Sequence, residues 1–156
     1  MKVIVNTSPL VALDRIDLLD ILPKLFGNVI RPQSVVNELN AGQKIYGGSD
    51  TLYNAEWIQT VDDPPEMILR KELGDGETAV IALAVKTEAD LVILDDLAAR
   101  SVAAELGLKI TGTIGLLLAA HRKGILPDLK KAVDALKLSG FRLSDAVTAS
   151  IIESIG

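Results

Sequence analysis

Leu91-Val92-Ile93-Leu94-Asp95-Asp96 decides the fold. Four apolar residues in a row, without polar alternation, predict a strand covered on both faces, as in parallel sheets packed between helices. Two acids follow at once, where such a strand leaves the core. Leu97 to Leu106 then carries a helical pattern that Gly107 stops.

Working outward, Val3-Ile4-Val5 and Val29-Ile30 read as two more buried strands, Trp57 to Val61 as a weaker one and Lys109-Ile110 as a short last one. Ser8 and Pro9 supply an N-cap and an N1 proline for a helix from Leu10 to Arg15. Leu18 to Phe26 continues as helix, disturbed by Pro23, and Pro32 opens a helix from Gln33 to Asn40. Ala41 to Asp50, with Gly42, Gly47 and Gly48, reads as a surface loop. Pro65 to Leu73 and Glu77 to Thr87 are helical around Gly74-Asp75-Gly76, where Asp75 reads as an N-cap. Helices at Ile114 to Lys123, Asp128 to Leu138 and Ser144 to Ser154 complete the chain. Strands alternating with helices predict an α/β fold with a mostly parallel sheet, whose ligands sit beyond the carboxyl ends of the strands.

At 156 residues, with no linker, repeat or low-complexity tract, one domain over 1–156 is expected. Apolar residues make up 49%, which excludes a disordered chain, and aromatics only 3%, so the core must be aliphatic. The absence of Cys excludes disulfides, thiolate metal sites and a cysteine nucleophile, and a single His excludes a multi-His zinc centre. Any metal must therefore be held by oxygen, which points to Mg²⁺, Mn²⁺ or Ca²⁺. Met1-Lys2-Val3 reads as the start of a strand and not of a signal peptide, and the apolar runs are far below the roughly 18 residues of a membrane span. A cytoplasmic protein is expected. The net charge of −5 divides unevenly: residues 1–96 hold 8 Lys and Arg against 16 Asp and Glu, and residues 97–156 hold 8 against 5. An acidic site facing a basic flank suits a cation and an anionic chain together, although ordinary surface variation gives the same sum.

Three strand ends carry polar residues: Asn6-Thr7-Ser8, Asp95-Asp96 and Thr111-Gly112-Thr113. Adjacent carboxylates repel and stay ionised with a cation or donors beside them. Asp95 and Asp96 equally fit an N-cap and a first-turn acid for the helix from Leu97. Glu77 shares a helix face with Val80, Ile81 and Ala84, so it heads an apolar stripe directed inward. It fits a paired or metal-bound acid, or an acid favouring the helix N-terminus. Glu38 shares a face with Val35 and Ser34, which a solvated glutamate would also satisfy.

In order, Val5-Asn6-Thr7-Ser8-Pro9-Leu10, Val35-Val36-Asn37-Glu38-Leu39, Leu73 to Ala84, Leu91 to Asp96 with Arg100, and Thr111-Gly112-Thr113-Ile114-Gly115 resemble a PIN-domain protein. The resemblance is to a prokaryotic subgroup with this Asn-Thr-Ser-Pro-Leu opening, and it runs over essentially the whole chain. It implies a three-layer fold, a central mostly parallel sheet of four or five short strands flanked by helices. It also implies a Mg²⁺- or Mn²⁺-dependent ribonuclease acting on RNA, in many members the toxin of a toxin–antitoxin pair, commonly a homodimer with a small antitoxin partner. By position, Glu38 matches the second family acid, Glu77 the third and Asp96 the fourth, with Asp95 an extra neighbour. Most PIN nucleases carry Asp where this chain has Asn6. An amide oxygen can ligate Mg²⁺, but it brings no charge and cannot act as a base.

The resemblance assigns Glu38, Glu77 and Asp96 as catalytic, holding metal together with Asn6 and Asp95. Thr7, Ser8, Thr111, Thr113 and Arg100 are expected at the substrate. Arg100, four residues after Asp96, fits a phosphate contact or an ion pair with Asp96. His121 sits at a helix C-terminus that favours its charge and receives no catalytic role. Lys130, Lys131 and Lys137 read as a solvated helix face or as contacts to an RNA backbone, and Trp57, Tyr46 and Tyr53 are too scattered for base stacking. A PIN scaffold that binds without cutting remains a second reading. An aspartyl-phosphate receiver fits poorly, because the first strand ends in Asn6 and Lys109 precedes Ile110.

Overall fold

Val3, Ile4 and Val5 are fully buried because their strand has a neighbour on each side and helices on both faces. The computed structural model describes residues 1–65 and 73–142. In chain order these form β1 (Val3–Val5), α1 (Thr7–Arg15), α2 (Ile21–Phe26), β2 (Val29–Pro32), α3 (Gln33–Tyr46), α4 (Asp50–Asn54), β3 (Ile58–Val61) and α5 (Asp75–Thr87). There follow β4 (Leu91–Ile93), α6 (Leu97–Glu105), β5 (Ile110–Thr111), α7 (Thr113–Arg122) and α8 (Leu129–Leu138). The helices expected at Pro65 to Leu73 and Ser144 to Ser154 lie essentially outside the described residues.

Every strand pair is parallel, in the order β3-β2-β1-β4-β5. The sheet is therefore wholly parallel with five strands. From β1 the chain steps outward to β2 and β3, then returns past β1 to β4 and β5. The reversal lies between β1 and β4, where an open parallel sheet leaves a crevice beyond its strand ends. In register, Val3, Ile4 and Val5 stand against Leu91, Val92 and Ile93, and the Asn6 backbone N–H extends the ladder to Ile93 O at 3.1 Å. Asn6 and the Asp95-Asp96 pair thus emerge side by side.

Among the described residues, the buried apolar core is entirely Val, Leu, Ile and Ala. The run Ala79 to Ala84 in α5 is buried on all sides, as expected of a helix lying across β1, β2 and β4 under other helices. No helix among the described residues is long and apolar enough to cross a membrane.

Several boundaries differ from the sequence reading, among them α2, which begins at Ile21 and not Leu18, and α4, which was not expected. Asn6, not Ser8, is the N-cap of α1, and Pro9 stands third in the helix, where a missing N–H still costs nothing. The expected loop from Ala41 is helix as far as Tyr46, and it stops at Gly47, whose φ of +68° is left-handed. Gly74, not Asp75, caps α5, and Asp75 is an exposed first-turn residue.

Candidate active site

Glu38 projects from α3, and two donors hold it. The Thr7 hydroxyl donates to Oε2 at 2.8 Å, and the Gly76 backbone N–H donates to Oε1 at 2.8 Å. Gly76 also makes the room: a Cβ there would lie 2.2 Å from Glu38 Oε1. One carboxylate thus ties the starts of α1 and α5 to α3.

Glu77 follows in the third position of α5, where a glutamate reaches back to the backbone N–H of the N-cap, here Gly74. Its other oxygen, Oε2, is buried and has no hydrogen-bond partner. Burial raises the Glu77 pKa above its ordinary value; the neighbouring Asp96, through its charge and its closeness to the Glu77 carboxyl, raises it further, the Gly74 N–H opposes the shift, and Glu38 adds a smaller push upward. A second orphaned oxygen belongs to Asn6, which is 4% exposed and whose Oδ1 has no partner. Buried polar atoms are nearly always paired, and these two oxygens are acceptors suited to a positive or donating group. An oxygen-binding cation fits their chemistry.

Asp96 and Asp95 have separate tasks. Asp96 caps α6, accepting from the Ala99 N–H at 2.9 Å, while its residue remains exposed. Asp95 turns the other way: Oδ1 accepts from the Thr113 N–H at 2.7 Å and Oδ2 from the Thr113 hydroxyl at 2.6 Å. Two of the expected roles change here. Asp95 has both oxygens engaged in anchoring the start of α7, which makes it a positioning residue rather than a free ligand. Thr113 is fully buried, so it is out of reach of a substrate.

The structure brings Glu77 beside Asp96 and sets Glu38 near them, but it does not gather all of the expected ligands. Among the described residues, no three Asp, Glu, His or Cys side chains stand close enough to share one ion. The reason is local, because Glu38 is drawn to Thr7 and Gly76, and Asp96 to the α6 backbone. Asp96 and Arg100 do not pair either, since Asp96 turns to the α6 backbone. Thr7, Ser8, Asp95 and Asp96 line a cleft of about 510 Å³ whose far wall is Ser139 to Arg142. Thr111 and Arg100 face a different cleft. His121 Nδ1 is 2.8 Å from Leu126 O, a local contact at the end of α7. Sequence reading missed Gly76 as the seat of Glu38, and Phe141 and Arg142 as cleft walls. Gly76 was legible only as turn chemistry, and nothing periodic marks the other two.

A family model described as a PIN domain matches residues 2–156. No curated protein matches the chain. Among solved structures, a PilT N-terminus domain protein from the hyperthermophilic archaeon Sulfolobus solfataricus P2 is similar, with a TM-score of 0.57 and 15% identity over 77% of this chain and 93% of that one. That likeness supports the fold.

Proposed function

The chain belongs to the PIN-domain family, and from that premise we propose that it is a Mg²⁺- or Mn²⁺-dependent ribonuclease hydrolysing RNA phosphodiester bonds. The observation that carries the reading is the pair of buried, partnerless oxygens, Asn6 Oδ1 and Glu77 Oε2, at the crevice beside Asp96. Asn6, Glu77 and Asp96 would hold the ion, and Glu38 adds negative charge from its fixed seat. Such an ion would supply polarisation of the phosphate and a water of lowered pKa. Burial and the Asp96 charge favour the protonated form of Glu77, and a cation facing it would favour the ionised one. Thr7 and Ser8 border the cleft in which the phosphate lies.

Cleavage of a fluorescent single-stranded RNA in Mg²⁺ or Mn²⁺, stopped by chelator and absent in Glu77→Gln, is the expected result. Metal-independent cleavage, or none under any divalent ion, overturns the reading. In the same reading the protein is a cytoplasmic toxin, homodimeric and silenced by a small antitoxin. Induction in a bacterial host then arrests growth with the wild-type chain and not with Glu77→Gln. A second reading, a scaffold that binds nucleic acid or protein without cutting, is favoured by Asn6 standing where most of the family has an acid. Metal-independent RNA binding without any cleavage selects it.

A further inference from the structure

On the β5 side of Asp95 lies a second cleft, of about 590 Å³, within the usual size of small-ligand sites. Its walls are mostly apolar, Leu97, Ile110, Ile114 and Phe141, with Thr111 and Asp95 beside them, the Asp95 oxygens already engaged by Thr113. Leu97, directly after Asp96, is 81% exposed and offers its side chain to this cleft. At the rim stand Arg100 and Arg142, whose guanidinium groups have no hydrogen-bond or ion-pair partner among the described residues. Gly112 lets Arg100 fold down against the cleft, since a Cβ there would lie 3.1 Å from its Nη1 and 2.7 Å from Asp95 Oδ1. The two clefts are continuous, because Asp95, Phe141 and Arg142 line both.

Apolar walls under two guanidinium groups match a flat nucleobase with its adjoining phosphate. We infer that this cleft receives one unstacked base of a single-stranded RNA, with Phe141 as its stacking wall and Arg100 and Arg142 on the flanking phosphate, a reading that rests on the ribonuclease assignment. A base within a duplex cannot enter it, so the pocket selects single strands and sets which nucleotide lies beside the scissile bond.

The test is binding of short fluorescent single-stranded RNAs in chelator, where cleavage does not intervene, with one abasic position moved along the strand. One position is expected at which removing the base weakens binding by roughly 5- to 100-fold. Phe141→Ala should produce the same loss and none further on that abasic strand, while Phe141→Trp retains binding. Arg100→Gln should weaken all strands alike and lower the salt slope by about 1. Equal affinity for every abasic strand overturns the pocket, as does equal affinity for duplex RNA. Should Phe141→Ala fail to fold, the abasic series still decides, because it alters only the RNA. If the abasic pattern appears but no divalent ion produces cleavage, the nuclease reading falls and the pocket stands. If RNA is cleaved and the abasic series is flat, the pocket alone falls.

Discussion

Carboxylates stand at helix starts in two regions of this molecule, and they differ in what holds them. Asp14, Asp63 and Asp95 each accept both the backbone N–H and the hydroxyl of a single Ser or Thr: Ser49 before α4, Ser34 in the first turn of α3, and Thr113 opening α7. Each fixes a helix to a remote segment and has its oxygens satisfied. At the crevice between β1 and β4, Glu77 has a buried oxygen without a donor, beside the charge of Asp96, and the Asn6 amide oxygen at the end of β1 is likewise partnerless. The first arrangement satisfies the carboxylate oxygens with donors and so supports the fold. The second disfavours the ionised carboxylate unless a cation arrives, so stability is sacrificed where binding is needed.

The largest expected effect breaks the second region. Glu77→Gln keeps the shape and removes the charge, and cleavage of single-stranded RNA should fall by more than the roughly 10- to 100-fold that loss of an outer-shell partner costs. In chelator the same variant should melt at or above the wild-type temperature, because a repelled carboxylate has gone. Cleavage at the wild-type rate would remove Glu77 from the chemistry.

The reverse outcome is expected in the first region. Asp95→Ala leaves the fully buried Thr113 N–H and hydroxyl without acceptors, which costs about 1–3 kcal/mol. Asp63→Ala, whose partners are partly solvated, should cost about 1 kcal/mol, the usual worth of a cap. Urea unfolding measures both. If Asp95→Ala instead melts like the wild type and loses divalent-ion affinity, the division between anchors and ligands is wrong.

Asn6→Asp sharpens the contrast by adding a charge to the second region. Affinity for Mn²⁺ should rise about ten-fold, equivalent to about 1.4 kcal/mol, while the chelated protein loses stability. Equal calorimetric titrations of the two proteins would detach Asn6 from the ion.

The sheet was legible because buried parallel strands are bare apolar runs: Val3 to Val5 and Leu91 to Leu94 have no other reading. Helix ends were less so. Ser8-Pro9 suggested a cap because the pattern ignores that Asn6 already leaves the β1 ladder in extended geometry. Gly42 suggested a loop, yet it is buried within α3, where packing outweighs its poor propensity. In the site, spacing singled out Glu77 but could not separate Asp95 from Asp96. Which of two adjacent acids caps its own helix and which reaches Thr113, 18 residues on, depends on β4 lying beside β5. The second cleft was invisible for the same reason, since Phe141 meets Ile110 only through α7 and α8.

The smallest effect is in the pH dependence of the chelated protein. Glu77 has a folded pKa above its unfolded value near 4.5, so the fold favours its protonated form. The stability this contributes is fully present below the unfolded value, and it is lost as pH rises through the raised folded one. Between those limits, unfolding free energy should therefore decline more steeply with pH in the wild type than in Glu77→Gln. Water screening at a half-buried side chain keeps the difference small. Anchored acids such as Asp95 are unaltered in both proteins, so their contribution cancels from the comparison. Saturating Mn²⁺ should abolish the difference in slope or reverse it, since the ion favours the ionised glutamate that the chelated fold resists. Denaturant titrations at several pH values, with and without Mn²⁺, read this directly. Parallel curves for the two proteins in chelator would mean that Glu77 is not the strained acid of the crevice.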